Sequence, residues 1–210
     1  MSTSRTRTRT GTRQYWVALR VMLVFTVVLG LAYPAAITLI GQLALPAQAN
    51  GSLVSAENAH VGSSLIGQSF TDSDGTALTE WFQSRPSAAG DGYDASASSG
   101  SNLGPENPTL IQAIGDRREL ISKRDGVPIT QIPADAVTAS SSGLDPHISP
   151  AYARLQVQRV AAARNLPEND VSALVESAVQ GADLGYLGEA TVNVLNLNIR
   201  LAELDSHRKE

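Results

Sequence analysis

Residues 138–150 read TASSSGLDPHISP and place Ser140, Ser141, Ser142, Asp145 and His147 within eight residues. A hydroxyl nucleophile, an imidazole base and a carboxylate to orient that base are the parts of a serine hydrolase. Such triads are assembled from distant segments of a chain, whereas a local Ser/Asp/His run is the usual chemistry of a turn. Ser and Asp side chains bond nearby backbone, Gly143 is free to adopt positive φ, and Asp145-Pro146 starts a turn. The run is therefore expected to be structural, with Ser142 and Asp145 as contact residues. A secreted or anchored hydrolase using residues 140–147 is the alternative.

The other chemistry-bearing residues are sparse. Arg85 in FQSRPSA offers five guanidinium donors, and is expected to clamp the small-residue loop that follows it. Asn102 and Asn107 suit turn and cap positions in that loop; with Arg85, Ser142, Asp145 and the Gln48 and Asn50 of QANGSL after the long apolar run, they are candidate partner or structural contacts. His60, His147 and His207 are too scattered to form a sequence-local metal site, and no H-E-x-x-H occurs. Phosphate-loop, dinucleotide and nucleophile-elbow glycine patterns are absent, and with no cysteine, thiol catalysis and Cys-based metal sites are excluded. No catalytic centre, bound cofactor or metal is expected.

Charge divides the chain. Arg5, Arg7, Arg9, Arg13 and Arg20 carry the first 20 residues with no acid, while everything from Glu57 onward holds 11 Lys+Arg against 20 Asp+Glu, a balance of −9. A nucleic-acid binder would show the opposite sign over its folded part. The acid excess would suit cations gathering near a pore entrance, and an ordinary solvated surface accounts for it equally well.

Between these halves, no charged residue occurs from Val21 to Ala56. Trp16 to Leu39 supplies the ~20 apolar residues needed to cross a hydrocarbon core of ~30 Å, with Tyr15 and Trp16 at the interface and Arg20 able to reach outward. Ala47-Gln48-Ala49 has the small-x-small form of a signal-peptidase site, but the apolar run exceeds the ~7–15 residues of a cleaved signal. The expectation is a retained single-pass anchor over residues 16–43, preceded by a basic cytoplasmic arm (1–15) and followed by an extracytoplasmic domain (44–210). Pro34 should perturb the helix near Gly30–Pro34, and Ala32 and Ala36 form a small-xxx-small pair that permits close approach of another helix.

The remaining ~150 residues suffice for one domain. ENAHVGSSLIGQSF (57–70) suits strands and turns, and residues 84–108, mostly Ser, Gly, Ala, Asn, Asp and Pro, read as a linker or long surface loop. Asn107-Pro108 caps a helix with a stripe at Leu110, Ile111, Ile114 and Ile121, stopped by Gly126. VPITQIPADAVTAS (127–140) reads as an edge strand or extended segment. Ser149-Pro150 starts a helix that runs to Asn165, and Pro167 opens another whose Val171, Leu174, Val175, Ala178 and Val179 share one face. EATVNVLNLNIRLAEL (189–204) is either a strand entering a helix or one longer helix. The mixture indicates an α+β extracytoplasmic domain with one N-terminal transmembrane helix.

Six segments in order carry a resemblance: YPAAIT…GQLALPAQANGSL, GSSLIGQSF, FQSRP, SGSNLGPENP, IPADAVTASSSGLDPHISPAYARLQVQRVAAARN and LGEATVNVLNLN. Together they resemble the KdpC family of the bacterial Kdp-type potassium-transporting ATPase, from Tyr33 to about Leu204. Ser99 departs from the pattern, standing where the family typically has a second glycine. The resemblance implies an accessory subunit in the cell membrane, assembled with a channel-like potassium-translocating subunit, a P-type ATPase subunit and a very small membrane peptide. ATP, magnesium and potassium are then used by the complex. The family is commonly described as raising the ATPase subunit's affinity for nucleotide. An external domain cannot touch ATP bound in the cytoplasm, so assembly and stabilisation at the outer face is the expected role.

Overall fold

The computed structural model describes residues 10–56 and 59–207. Arg5, Arg7 and Arg9 of the basic arm lie outside the described residues. The chain divides into two units, Met1–Ser52 and Leu53–Glu210.

The first unit is helical: α1 (Thr10–Val27), a π-helical turn (Val28–Ala32), α2 (Tyr33–Ala44) and the short α3 (Pro46–Ala49). Gly11–Ala44 forms one helix of 34 residues, long and apolar enough to cross a membrane and with none of its apolar stretch buried within the chain. The irregularity expected near Pro34 takes the form of the π turn. The Tyr33 N–H donates to the Val28 carbonyl five residues back, a wider turn that accommodates the ring and the missing donor of Pro34. Ala32 and Ala36 are both exposed around it. At the other end the Arg20 guanidinium sits over the Trp16 ring at 5.7 Å, a cation–π contact.

Leu45 leaves helical geometry (φ −136°, ψ 55°) and Pro46 restarts it as α3. The Asn50 side-chain amide donates to the Pro46 carbonyl at 2.7 Å and to Gln42 Oε1 at 3.1 Å, tying the exit back onto the helix. The Gln48 carbonyl accepts the Gly51 N–H at 3.2 Å, and Gly51 and Ser52 turn the chain through positive φ of 85° and 50°.

The second unit begins with an antiparallel hairpin, β1 (Leu53–Ala56) and β2 (Ala59–Ser63), with an irregular register between Val54 and Ser55. Then come α4 (Pro108–Asp125), β3 (His147–Ile148), α5 (Pro150–Leu155), α6 (Val157–Arg164), α7 (Glu168–Ala178), β4 (Val179–Gln180), β5 (Thr191–Asn193) and α8 (Val194–His207). β5 is the centre of a three-stranded antiparallel sheet, pairing His147 with Asn193 on one side and Val179 with Val192 on the other. The core gathers Phe82, Tyr152, Val160, Val171, Val175, Val192, Leu197 and Leu201, none more than 1% exposed, so side chains from well-separated helices cover this small sheet. The segment 189–204 takes the strand-into-helix form.

Three expectations are corrected. Residues 127–140 form no edge strand: extended residues such as Ile132 and Pro133 are interrupted by two 3₁₀ turns, Ile129–Gln131 and Ala134–Ala136, each opened by a proline whose fixed φ suits a tight turn. The helix from Pro150 is interrupted at Gln156, which is fully buried. There its N–H donates to the Ala153 carbonyl three residues back, and its side-chain amide is held by Gln83 and Arg159. The stripe on α4 is narrower than its spacing suggests, because Ile111 is 57% exposed while Ile121 is buried. The caps follow the sequence: Asn107 Oδ1 accepts the Thr109 N–H, Ser149 Oγ accepts the Tyr152 N–H, and Gly126 and Asn165 end their helices in left-handed geometry.

Candidate functional site

The segment following Trp81 is buried without a sheet partner, so its backbone groups need other satisfaction. Side-chain amides supply it. The Phe82 N–H donates to Asn198 Oδ1 and Asn198 Nδ2 returns a bond to the Phe82 carbonyl, both at 2.9 Å. The Gln83 N–H donates to Gln156 Oε1 at 2.7 Å, and Gln156 Nε2 donates to the Gln83 carbonyl at 3.1 Å. These two reciprocal pairs aim the next residues, Ser84 and Arg85, at the 138–145 turn.

Arg85 there spans a carbonyl and a carboxylate. Its Nε and Nη2 both donate to the Thr138 carbonyl at 3.3 Å, and Nη1 to Asp145 Oδ2 at 3.0 Å. The other oxygen of Asp145 accepts the His147 N–H at 3.0 Å and lies 3.2 Å from His147 Nδ1. Burial pushes the Asp145 carboxyl up, but the His147 bonds and the Arg85 guanidinium outweigh it and hold the group below the usual carboxylate range. Tyr93 donates its hydroxyl to the Arg85 carbonyl at 2.7 Å, and burial pushes its phenol up to about 12.

The loop over residues 84–108 is thus docked rather than loose. Ser87 Oγ donates to the Gly143 carbonyl at 2.6 Å, and the Ser99 N–H and Ser98 Oγ donate to the Ser142 carbonyl at 2.9 and 3.0 Å. Its small residues permit that closeness: a Cβ on Gly143, at φ 68°, would stand 2.6 Å from the Ser99 carbonyl oxygen and 2.7 Å from the Ala89 nitrogen. Hydrogen bonds and close backbone approach supply what its few apolar side chains do not, although Ala89 is fully buried. Asn102 holds a left-handed turn at φ 53° and Asn107 caps α4.

The hydroxyls of the serine run serve the turn. Ser142 Oγ accepts the Leu144 N–H at 3.1 Å and lies 3.4 Å from Ser140 Oγ. Asp145 and His147 are paired, but among the described residues no hydrogen bond joins Ser142 to His147.

Beside this clamp the structure assembles what the sequence reading missed. The Asp125 side chain, at the C-terminus of α4, is fully buried between Arg124 (Nη2 to Oδ2, 2.6 Å) and Arg159 (Nε to Oδ1, 2.5 Å). Arg159 also donates to the carbonyls of Thr79 and Trp81 and to Gln156 Oε1, and Arg124 donates to the Tyr152 hydroxyl at 3.3 Å. Burial pushes Arg159 down, against the pull of Asp125. The only signal was an Arg-Asp-Gly helix end, which reads equally as a solvated terminus. Arg117 joins from α4, donating to the Val137 carbonyl at 2.9 Å. Arg85, Arg117 and Arg124 line one cleft of about 310 Å³ with Tyr93, Tyr152 and several hydroxyls, and among the described residues no carboxylate lines it. Each of the three guanidiniums is already engaged, with Asp145, the Val137 carbonyl and Asp125 respectively. No cluster of potential metal ligands occurs among the described residues.

Comparison with known proteins decides the affiliation. The family model described as KdpC, the c chain of the K+-transporting ATPase, matches residues 15–203. The chain belongs to the KdpC family. The potassium-transporting ATPase KdpC subunit of Caulobacter vibrioides is 57% identical over 183 residues, covering 86% of this chain and 88% of the relative. That of Kineococcus radiotolerans is 51% identical over 189 residues, 90% and 93% of the two chains. That of Mycobacterium tuberculosis is 49% identical over 193 residues, 91% and 99%. Family membership and the apolar helix Gly11–Ala44 make this a membrane protein of a potassium-transport family.

Proposed function

We propose that the chain is a non-catalytic accessory subunit of an ATP-driven potassium uptake complex. The observation that carries this reading is the family match over residues 15–203, which takes in both the apolar helix and the folded unit. The partners are a channel-like potassium-translocating subunit, a P-type ATPase subunit and a small membrane peptide, and the complex uses ATP, magnesium and potassium. The N-terminus is cytoplasmic and the folded unit lies outside, since four arginines precede the apolar run, Arg20 lies about one turn into it, and every acid follows it.

Its role in this reading is to hold the translocating and ATPase subunits together from the outer face. An effect on ATP affinity is then transmitted through the complex as a coupling between sites. The internal use of the polar residues supports a scaffold. Arg85, Asp145, Gln83 and Gln156 are engaged with one another or with backbone, and no buried side-chain polar atom among the described residues lacks a partner. The test is purification of a tagged full-length chain from detergent-solubilised membranes of a potassium-starved host. Co-purification of a P-type ATPase chain is expected; recovery of the tagged chain alone and monomeric overturns the reading.

A further inference from the structure

Among the described residues of the folded unit, the two most exposed large apolar side chains stand on one loop: Leu184 at 81% and Tyr186 at 75%, with Leu187 beside them at 50%. The loop joins β4 to β5 and is closed on itself. Asp183 and Leu187 exchange both backbone hydrogen bonds, at 2.8 and 2.9 Å, and the N–H groups of Gly185 and Tyr186 donate inside the turn to Ala182 and Asp183. The three side chains are therefore presented by a tight hairpin tip anchored on the central strand.

Leu184 adopts φ 53°, a left-handed conformation that disfavours a bulky side chain and that glycine would adopt freely. Within this chain it returns nothing for that strain, being four-fifths exposed. An unfavourable residue at a rigid, projecting position calls for a contact outside the chain.

Charge decides what makes the contact. Within the hairpin, from Val179 to Asn193, the charged residues are Asp183 and Glu189, both exposed; the basic side chains nearest its base are engaged, Arg154 with Glu176 and Arg200 with Ser177. Glu189 is exposed beside the tip and Asp183 closes its base. A loop that inserts into a bilayer surface uses basic anchors; paired carboxylates disfavour anionic headgroups and match a basic-rimmed protein surface. We propose that Leu184, Tyr186 and Leu187 form a plug that seats in an apolar, basic-rimmed hollow on another subunit of the transport complex. The tyrosine carries a rigid ring into the hollow with its hydroxyl at the rim, the pattern of an interface anchor. This inference rests on the accessory-subunit reading above.

The full-length tagged chain, co-expressed with its partners, tests it in two ways. A photoreactive phenylalanine replacing Tyr186 is expected to crosslink to a protein subunit, while the same residue at exposed Leu120 on α4 serves as the comparison. The variant Leu184→Gly/Tyr186→Ser/Leu187→Ser is expected to retain about tenfold less partner through washing, with an unchanged thermal midpoint. The single Leu184→Gly, which relieves the strained backbone, is expected to fold at least as well and still to lose partner. If the unaltered chain brings down no ATPase partner, the accessory-subunit reading itself fails. If it does, and both variants retain partners equally, the plug is overturned while that reading stands. Crosslinking of residue 186 to lipid alone also overturns it, making the tip a membrane wedge.

Discussion

Arg85 and Asp145 are 60 residues apart in sequence and 3.0 Å apart in space, and the Asp145 carboxyl, which burial pushes up but its two His147 bonds and then Arg85 hold down, has a pH signature. A carboxylate held below its ordinary value of 3.8 favours the folded state once ionised. That contribution is fully present above 3.8 and is lost as pH falls through the depressed folded value. Denaturant titration of the full chain in detergent should therefore show stability falling below about pH 4, and Asp145→Asn should flatten part of that fall. Above about pH 5 the substitution should lower stability. Asp125 makes a stronger demand, because its removal leaves the guanidinium of Arg159, 6% exposed, without its carboxylate. Asp125→Ala is expected to destabilise by about 3–5 kcal/mol, read as a shift in denaturation midpoint. A smaller effect than Asp145→Asn would refute the ranking.

At the scale of elements, the 84–108 loop and the 138–145 turn stand or fall together. Gly143 is where they touch, at positive φ with backbone atoms within 3 Å of any added Cβ. Gly143→Ala should cost about 2–3 kcal/mol through strain and displaced backbone. It should also increase proteolysis between Ser84 and Asn107 under native conditions. A protease-resistant loop in that variant would show that the docking does not depend on the turn. At Gln156, too, elements are tied across the chain: its buried side chain joins the helix irregularity to the Gln83 backbone 73 residues away.

For the whole molecule, the division at Ser52 and Leu53 separates an apolar helix from a folded unit rich in acids. Protease added to intact protoplasts should digest the unit beyond Leu53 and leave the helix in the membrane, and full protection would reverse the proposed orientation. N-terminal sequencing of the chain taken from membranes should show no start at Asn50; such a start would show cleavage after Ala49 in Ala47-Gln48-Ala49.

Local physics made much of this legible without coordinates. The long uncharged run, Pro34 behind an irregular turn, the caps at Asn107 and Ser149 and the terminator at Gly126 each depend on a few adjacent residues, so the chain states them directly. The α+β class followed from the periodicities, and the family from the ordered motifs. What the fold decided are contacts across large sequence separation. Gln83 meets Gln156, Phe82 meets Asn198, and Asp125 meets Arg159 only when the helices close over the sheet. The same closure set 3₁₀ turns into 127–140, which the sequence reads as an edge strand or extended segment, and docked residues 84–108, which it reads as a linker or long surface loop. A residue's type states which bonds it is able to make, and the tertiary structure decides which partner comes within hydrogen-bonding reach.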